Sequence, residues 1–114
     1  MSVVTNVLLL VDLEDVDVVA GMRFGRYRLC LTNLGNRENA IWGGEKFPEC
    51  AMFTGSFGNL GEDFMFQQVA DCPWRAPDAV RLLVKHQDDE GFRVYFLTAG
   101  KLRRAIVVSD FHHG

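Results

Sequence analysis

Apolar and polar residues alternate most regularly between Ala79 and Leu97, and the other elements are read in relation to that stretch. Val80, Leu82 and Val84 alternate with Arg81 and Lys85; beyond Asp88-Asp89-Glu90-Gly91, Phe92, Val94 and Phe96 alternate with Arg93 and Tyr95. A period of two is that of a half-buried strand, so the pattern predicts a β-hairpin with a solvated acidic connection. Its expected core face carries Val80, Leu82, Val84, Phe92, Val94 and Phe96, and other elements must cover it.

Upstream, Val3 to Leu13 holds the continuous apolar run Val7 to Val11. Such a run predicts a central strand buried on both faces. Glu14, Asp15 and Asp17 follow it, with Asp12 or Asp15 placed to cap a helix whose apolar positions are Val16, Ala20, Phe24 and Tyr27 and which ends near Gly25. Arg26 to Thr32 alternates again and reads as an edge strand. Asn33 to Lys46 has no period and reads as a loop. Glu49 to Phe57 returns to β-formers, with Gly55 marking a bulge or close packing.

Asn59-Leu60-Gly61-Glu62 has the spacing of a capping box and predicts a helix whose stripe is Leu60, Phe64, Met65, Val69 and Cys72, ended by Pro73. After the hairpin, Thr98-Ala99-Gly100-Lys101 turns the chain into a last strand, Leu102 to Val108. The order strand, helix, strand, strand, helix, strand predicts an α+β fold of the ferredoxin-like (βαββαβ) kind. That is an antiparallel sheet with two helices on one face and extra C-terminal strands, the first and third strands lying side by side.

A chain of 114 residues, 48% hydrophobic, is one domain that can bury a core without staples, and residues 109–114 are expected to fray. The formal charge of −3 gives no overall field for nucleic acid, which is not an expected partner; Lys101, Arg103 and Arg104 form the one local basic run. Cys30, Cys50 and Cys72 are odd in number and lack CxxC spacing, which argues against a disulfide framework or a zinc site and for reduced thiols. Val7 to Val11 is too short to span a bilayer and has no basic residues before it, so a cytoplasmic protein without a membrane partner is expected.

For chemistry, Trp42-Gly43-Gly44-Glu45-Lys46 is the most unusual composition. Paired glycines let backbone amides approach a partner, Trp42 offers a rigid face, and Glu45 and Lys46 offer polar contacts, with Trp74 the second aromatic near a possible cleft. The structural alternative is a turn whose Trp plugs the core. The spacing of a phosphate loop is absent. The carboxylates Asp12, Glu14, Asp15 and Asp17 lack the regular spacing and Gly of a calcium loop, and Asp88, Asp89 and Glu90 read as a solvated tip. His86 lies in a strand and His112 and His113 in the tail, while Cys50 and Cys72 sit in apolar sequence. No nucleophile, base and carboxylate signature emerges, so no catalytic residue, metal or cofactor is assigned.

The residues Trp42-Gly43-Gly44 with Lys46, Glu49-Cys50, Gly55-Ser56-Phe57-Gly58-Asn59, Pro73-Trp74, Leu82-Leu83-Val84-Lys85, and Gln87-Asp88-Asp89 with Phe92-Arg93 carry a resemblance. In these the chain resembles a family of small uncharacterised proteins of actinobacteria and their phages. The resemblance covers the chain apart from Glu14 to Ala40 and the tail, and implies no activity. The expected function is a non-catalytic protein-protein interaction module, as in a phage-encoded or defence-related modulator of a host protein. Its expected contacts are Trp42, Gly43, Gly44, Glu45, Lys46 and Trp74, with homodimerisation through an edge strand open to it. The alternative is a small-ligand binder or enzyme with a cleft near Trp42 and Trp74.

Overall fold

The computed structural model describes residues 4–22, 31–33, 49–58 and 61–106. Six strands, β1 (Val4–Asp12), β2 (Thr32–Asn33), β3 (Cys50–Gly58), β4 (Arg81–His86), β5 (Arg93–Thr98) and β6 (Lys101–Arg104), form one sheet in the order β2-β3-β1-β4-β5-β6. Every neighbouring pair is antiparallel. Helix α1 (Val16–Ala20), entered through a 3-10 turn at Leu13–Asp15, follows β1; α2 (Glu62–Ala70) follows β3. The fold is therefore α+β, a six-stranded antiparallel sheet with two helices.

β1 is the strand on which the sheet is assembled. It pairs with β3 from Val4↔Gly58 to Asp12↔Cys50 and with β4 from Thr5↔His86 to Leu10↔Arg81. On its inner face Thr5, Val7, Leu9 and Val11 are no more than 1% exposed. Ala51, Phe53 and Phe57 of β3, Leu82 and Val84 of β4, and Tyr95 and Leu97 of β5 extend that face, and Val19 of α1 with Met65 and Val69 of α2 join the same core cluster. Both helices thus cover one side of the sheet. The expectation of two buried faces on β1 is corrected: Leu8 and Leu10, pointing the other way, are only half-buried.

The hairpin forms, but in a different register from the expected one. Leu82 faces Tyr95 and Val84 faces Arg93, so Tyr95 and Leu97 enter the core. Phe92, Val94 and Phe96 lie on the opposite side, and Phe92 is 45% exposed. A shift of one residue exchanges every side chain between faces. Six residues lie between His86 and Arg93, against an expected four, and either even number sets the even positions of β4 opposite odd positions of β5, so Val84 shares a face with Arg93 and Tyr95 and not with Val94. The Gln87 N–H donates to the Val4 carbonyl, prolonging the pairing with β1, and Asp89 receives the His86 N–H at 2.9 Å.

α1 is one short segment, and Phe24 and Tyr27 lie outside the described residues, as do Cys30 and the expected strand before Leu31. β2 pairs with β3 alone and sits at the sheet edge. α2 begins at Glu62 after Gly61, with no side-chain cap, and Asn59 lies outside the described residues; Glu62 is the first helical residue, too early for the expected capping box. Of its expected stripe, Met65 and Val69 are fully buried but Phe64 is 48% exposed, and Phe66 instead packs on Tyr95 with ring centroids 4.7 Å apart. The helix ends at Ala70. Its last carbonyls are taken by residues beyond it, Cys72 Sγ donating to Gln68 O and Trp74 Nε1 to Val69 O. The last strand is shorter than expected, ending at Arg104, with Ala105 N bonded to Val94 O; residues 107–114 lie outside the described set.

At Gly55, close packing replaces the bulge: the register of β3 is unbroken, and a Cβ there would meet Phe57 Cζ at 2.6 Å. Gly55→Ala should therefore destabilise by about 1–3 kcal/mol in urea unfolding, since the Phe57 ring must shift within a packed core. In the β5–β6 turn Ala99 and Gly100 have φ of 51° and 75°, the left-handed pair that a two-residue hairpin turn of this hand requires. An alanine there is strained, and Ala99→Asn should raise stability by about 0.5–1 kcal/mol in the same measurement.

Candidate functional site

Of the expected contacts, Trp42, Gly43, Gly44, Glu45 and Lys46 lie outside the described residues, and Trp74 lies within them. Trp74 is half-buried against the core, and its indole N–H is spent on the Val69 carbonyl at 2.7 Å. The cavity beside it, about 330 Å³, includes Cys72, Asp78 and Leu97 in its lining. Burial, and then the charge of Asp71, push the Cys72 thiol up, which leaves little thiolate at neutral pH. Cys50, expected in apolar surroundings, is exposed because it falls on the outer side of β3.

The acidic group after β1 has a structural occupation. Asp12 receives the Glu14 N–H at 2.9 Å, as a cap of the 3-10 turn. Asp15 does not cap α1; fully buried, it receives the backbone N–H groups of Arg75 and Ala76 at 2.9 and 3.0 Å. The Arg75 guanidinium grips both oxygens of Asp17 at 2.7 and 3.0 Å and donates to Glu14 O. That hydrogen bond holds the Asp17 carboxyl below its usual range. These contacts clamp the α2–β4 connection to the β1–α1 turn, where a bidentate arginine is geometrically suited to hold two loops together.

A second polar network, not anticipated from the sequence, closes the other end of the sheet. Glu62, at the start of α2, binds Arg93 and, at 3.0 Å, His86 Nε2. His86 Nδ1 lies 2.9 Å from the buried Thr5 hydroxyl, and Arg93 also donates to the Tyr95 hydroxyl at 2.7 Å. Thr5 is closed to solvent, so its proximity to His86 does not make a nucleophile for an external substrate. Among the described residues no group of three or more His, Cys, Asp or Glu is placed to hold a metal ion, and no helix is long and apolar enough to cross a membrane.

What remains is the side of the sheet that the helices do not cover. Cross-strand register lays its side chains out in rows. One row runs Met52, Leu10, Arg81, Phe96, Arg103, and the next Thr54, Leu8, Leu83, Val94. Ser56, Asn6 and Lys85 form a third row, tied together by Ser56 Oγ donating to Asn6 Oδ1 and Asn6 Nδ2 to Lys85 O. Met52 is 41% exposed, and Leu8, Leu10, Leu83, Val94 and Phe96 are half-buried. Apolar residues over four adjacent strands form a continuous patch of the kind that marks an interaction surface. The sequence signal for it is Val7 to Val11, apolar at every position, a pattern that burial within the chain explains equally well.

No protein-family model, curated protein or solved structure matches this chain.

Burial would raise the Glu62 carboxyl, but hydrogen bonds from Arg93 and His86 outweigh it and hold the group below its ordinary 4.5. The stabilisation from its charged form is therefore full above that value and is lost as the pH falls through the lowered folded one. Urea unfolding between pH 6 and 3 should show a shallower acid loss in Glu62→Gln than in the parent, with the two curves converging at the acid end.

Proposed function

We propose that this chain is a non-catalytic protein-interaction module that binds its partner on the uncovered face of the sheet. One observation carries the reading. β1 has the composition of a strand buried on both faces, yet its own described chain covers only Val7, Leu9 and Val11, leaving Leu8 and Leu10 half-open in a patch with Met52, Leu83, Val94 and Phe96. Leaving such a surface in water is unfavourable by about 25 cal/mol per Å² of apolar area, and association removes that penalty. In the same reading β2-β3-β1-β4 with α1 and α2 make up a ferredoxin-like unit, to which β5 and β6 are appended at the β4 edge. A cytoplasmic setting, and a role as a phage-encoded or defence-related modulator of a host protein, fit a small domain of this kind.

The test is affinity capture, after cross-linking, from the cells that make the protein, using the parent and Leu8→Thr/Leu83→Thr/Val94→Thr. Threonine keeps the strand propensity of these positions while removing apolar surface. The parent should capture a stoichiometric protein that the triple variant loses, with the variant's melting curve still cooperative. Identical capture by both, or no stoichiometric partner for the parent, would refute the reading.

A further inference from the structure

We infer that the segment occupying this face is an acidic amphipathic helix of the partner; the inference rests on the interaction reading above and names the chemistry of what binds. The sorting of charge between the two sides of the sheet supports it. On the side of the helices, Arg75 and Arg93 are each neutralised, by Asp17 and by Glu62 with Asp89, and Arg104, opposite Tyr95 on the last strand, is the one described cation there with no described carboxylate within salt-bridge distance. On the uncovered side, Arg81, Lys85, Lys101 and Arg103 surround or interrupt the apolar rows, and none has a carboxylate within salt-bridge distance among the described residues. Arg81 is held over the Phe96 ring, 5.9 Å from its centroid, by bonds to the carbonyls of Asp78 and Val80. Its charge is fixed in place and has no carboxylate partner among the described residues. Among the strand residues on this side the one acid, Asp12, is engaged with Glu14 N at the sheet's end. In a chain of net charge −3, four cations are concentrated on one face.

A second copy of the chain is a poor complement, because a symmetric face-to-face dimer would bring the same cations together. Single-stranded nucleic acid would match the charge, but it also needs aromatic platforms on which bases stack. Here the aromatic side chains are Phe96, whose ring already lies under Arg81, and Phe92, four residues away and so about 13 Å along β5, too far apart to hold successive stacked bases. An acidic helix matches both features. Its i, i+3 and i+4 side chains stand about 5–6 Å apart, close to the roughly 4.8 Å between strands. The row from Met52 to Arg103 crosses five strands, about 19 Å, which is the length of about thirteen helical residues. Leucines on one side of such a helix would seat on Leu8, Leu10, Leu83 and Val94 while flanking carboxylates meet Arg81, Lys85 and Arg103.

The probes are two synthetic sixteen-residue helices with identical leucine faces, one flanked by glutamates and one by lysines, together with a twelve-nucleotide oligothymidylate, each titrated into the full chain by backbone-amide NMR. The glutamate helix should bind at least tenfold more tightly than the lysine helix, shift the amides of β1, β4 and β5 on the rows named, and weaken with added salt. Lys85→Glu/Arg103→Glu should reverse the preference between helices, and Arg103→Glu alone should narrow it if the double variant does not fold. Equal or tighter binding of the lysine helix would overturn the inference. So would tighter binding of the oligonucleotide, or a concentration-dependent dimer that protects this face without peptide. If neither helix binds while capture still depends on Leu8, Leu83 and Val94, the helix inference fails and the interaction module stands; if that dependence is also absent, both fall.

Discussion

The register of β1 is the constraint on which the structure depends. An apolar run from Val7 to Val11 could face the core in either of two ways, since Leu8 and Leu10 are as oily as Val7 and Leu9. Polar residues at its ends decide between them. In the observed register Asn6 and Asp12 point outward, where Asn6 is hydrogen-bonded to Ser56 and Lys85, and only Thr5, whose hydroxyl has His86 as a partner, is polar and inside. A slip of one residue would bring Asn6 and Asp12 into the core, and burying a carboxylate without a partner is far more unfavourable than exposing a leucine. The same choice leaves Leu8 and Leu10 on the far side.

Two polar clamps hold the helical layer against the inner face. Asp15, with Arg75 and Asp17, fixes the connection after α2 to the turn after β1. At the opposite end Glu62 joins α2 to β4 through His86 and to β5 through Arg93. α1 is too short to be stable alone, and α2 buries few large side chains, so these bonds matter more here than in a domain with long helices. They also use up most of the chemistry the sequence offers. The carboxylates after β1 and His86, the one histidine among the described residues, serve the fold, and the charged groups left on the strands of the outer face are mainly cations.

Much of this was legible in the residues. The α+β class, the central place of β1 and the adjacency of β1 and β3 follow from periodicity and order, whereas the expected edge strand Arg26 to Thr32 overlaps β2 only at Thr32, its residues 26–30 lying outside the described set. The hairpin face was misread because alternation shows that residues take turns, and does not show which set turns inward; that is settled by Gln87 pairing with Val4 and by Arg93 finding Glu62, contacts between residues far apart in sequence. Of the two expected caps, Asp12 fills the role at the 3-10 turn, and Asp15 does not, because its partners, the amides of Arg75 and Ala76, are some sixty positions away and invisible to local spacing. The bond by which the Trp74 indole closes the end of α2 is likewise absent from any local pattern. The outer patch was visible as a run of five apolar residues and was credited to internal burial, because composition does not reveal whether the cover comes from the same chain.

β1 is covered on one side by its own described chain and half-open on the other. Methyl NMR of the free monomer with a soluble paramagnetic agent measures this directly, as the relative broadening of the methyls of Leu8 and Leu10 against those of Val7, Leu9 and Val11. Strong broadening of the first pair and none of the others is the expected result. Equal protection of both sets in the monomer would contradict it, because the face assigned to a partner would then already be filled from within.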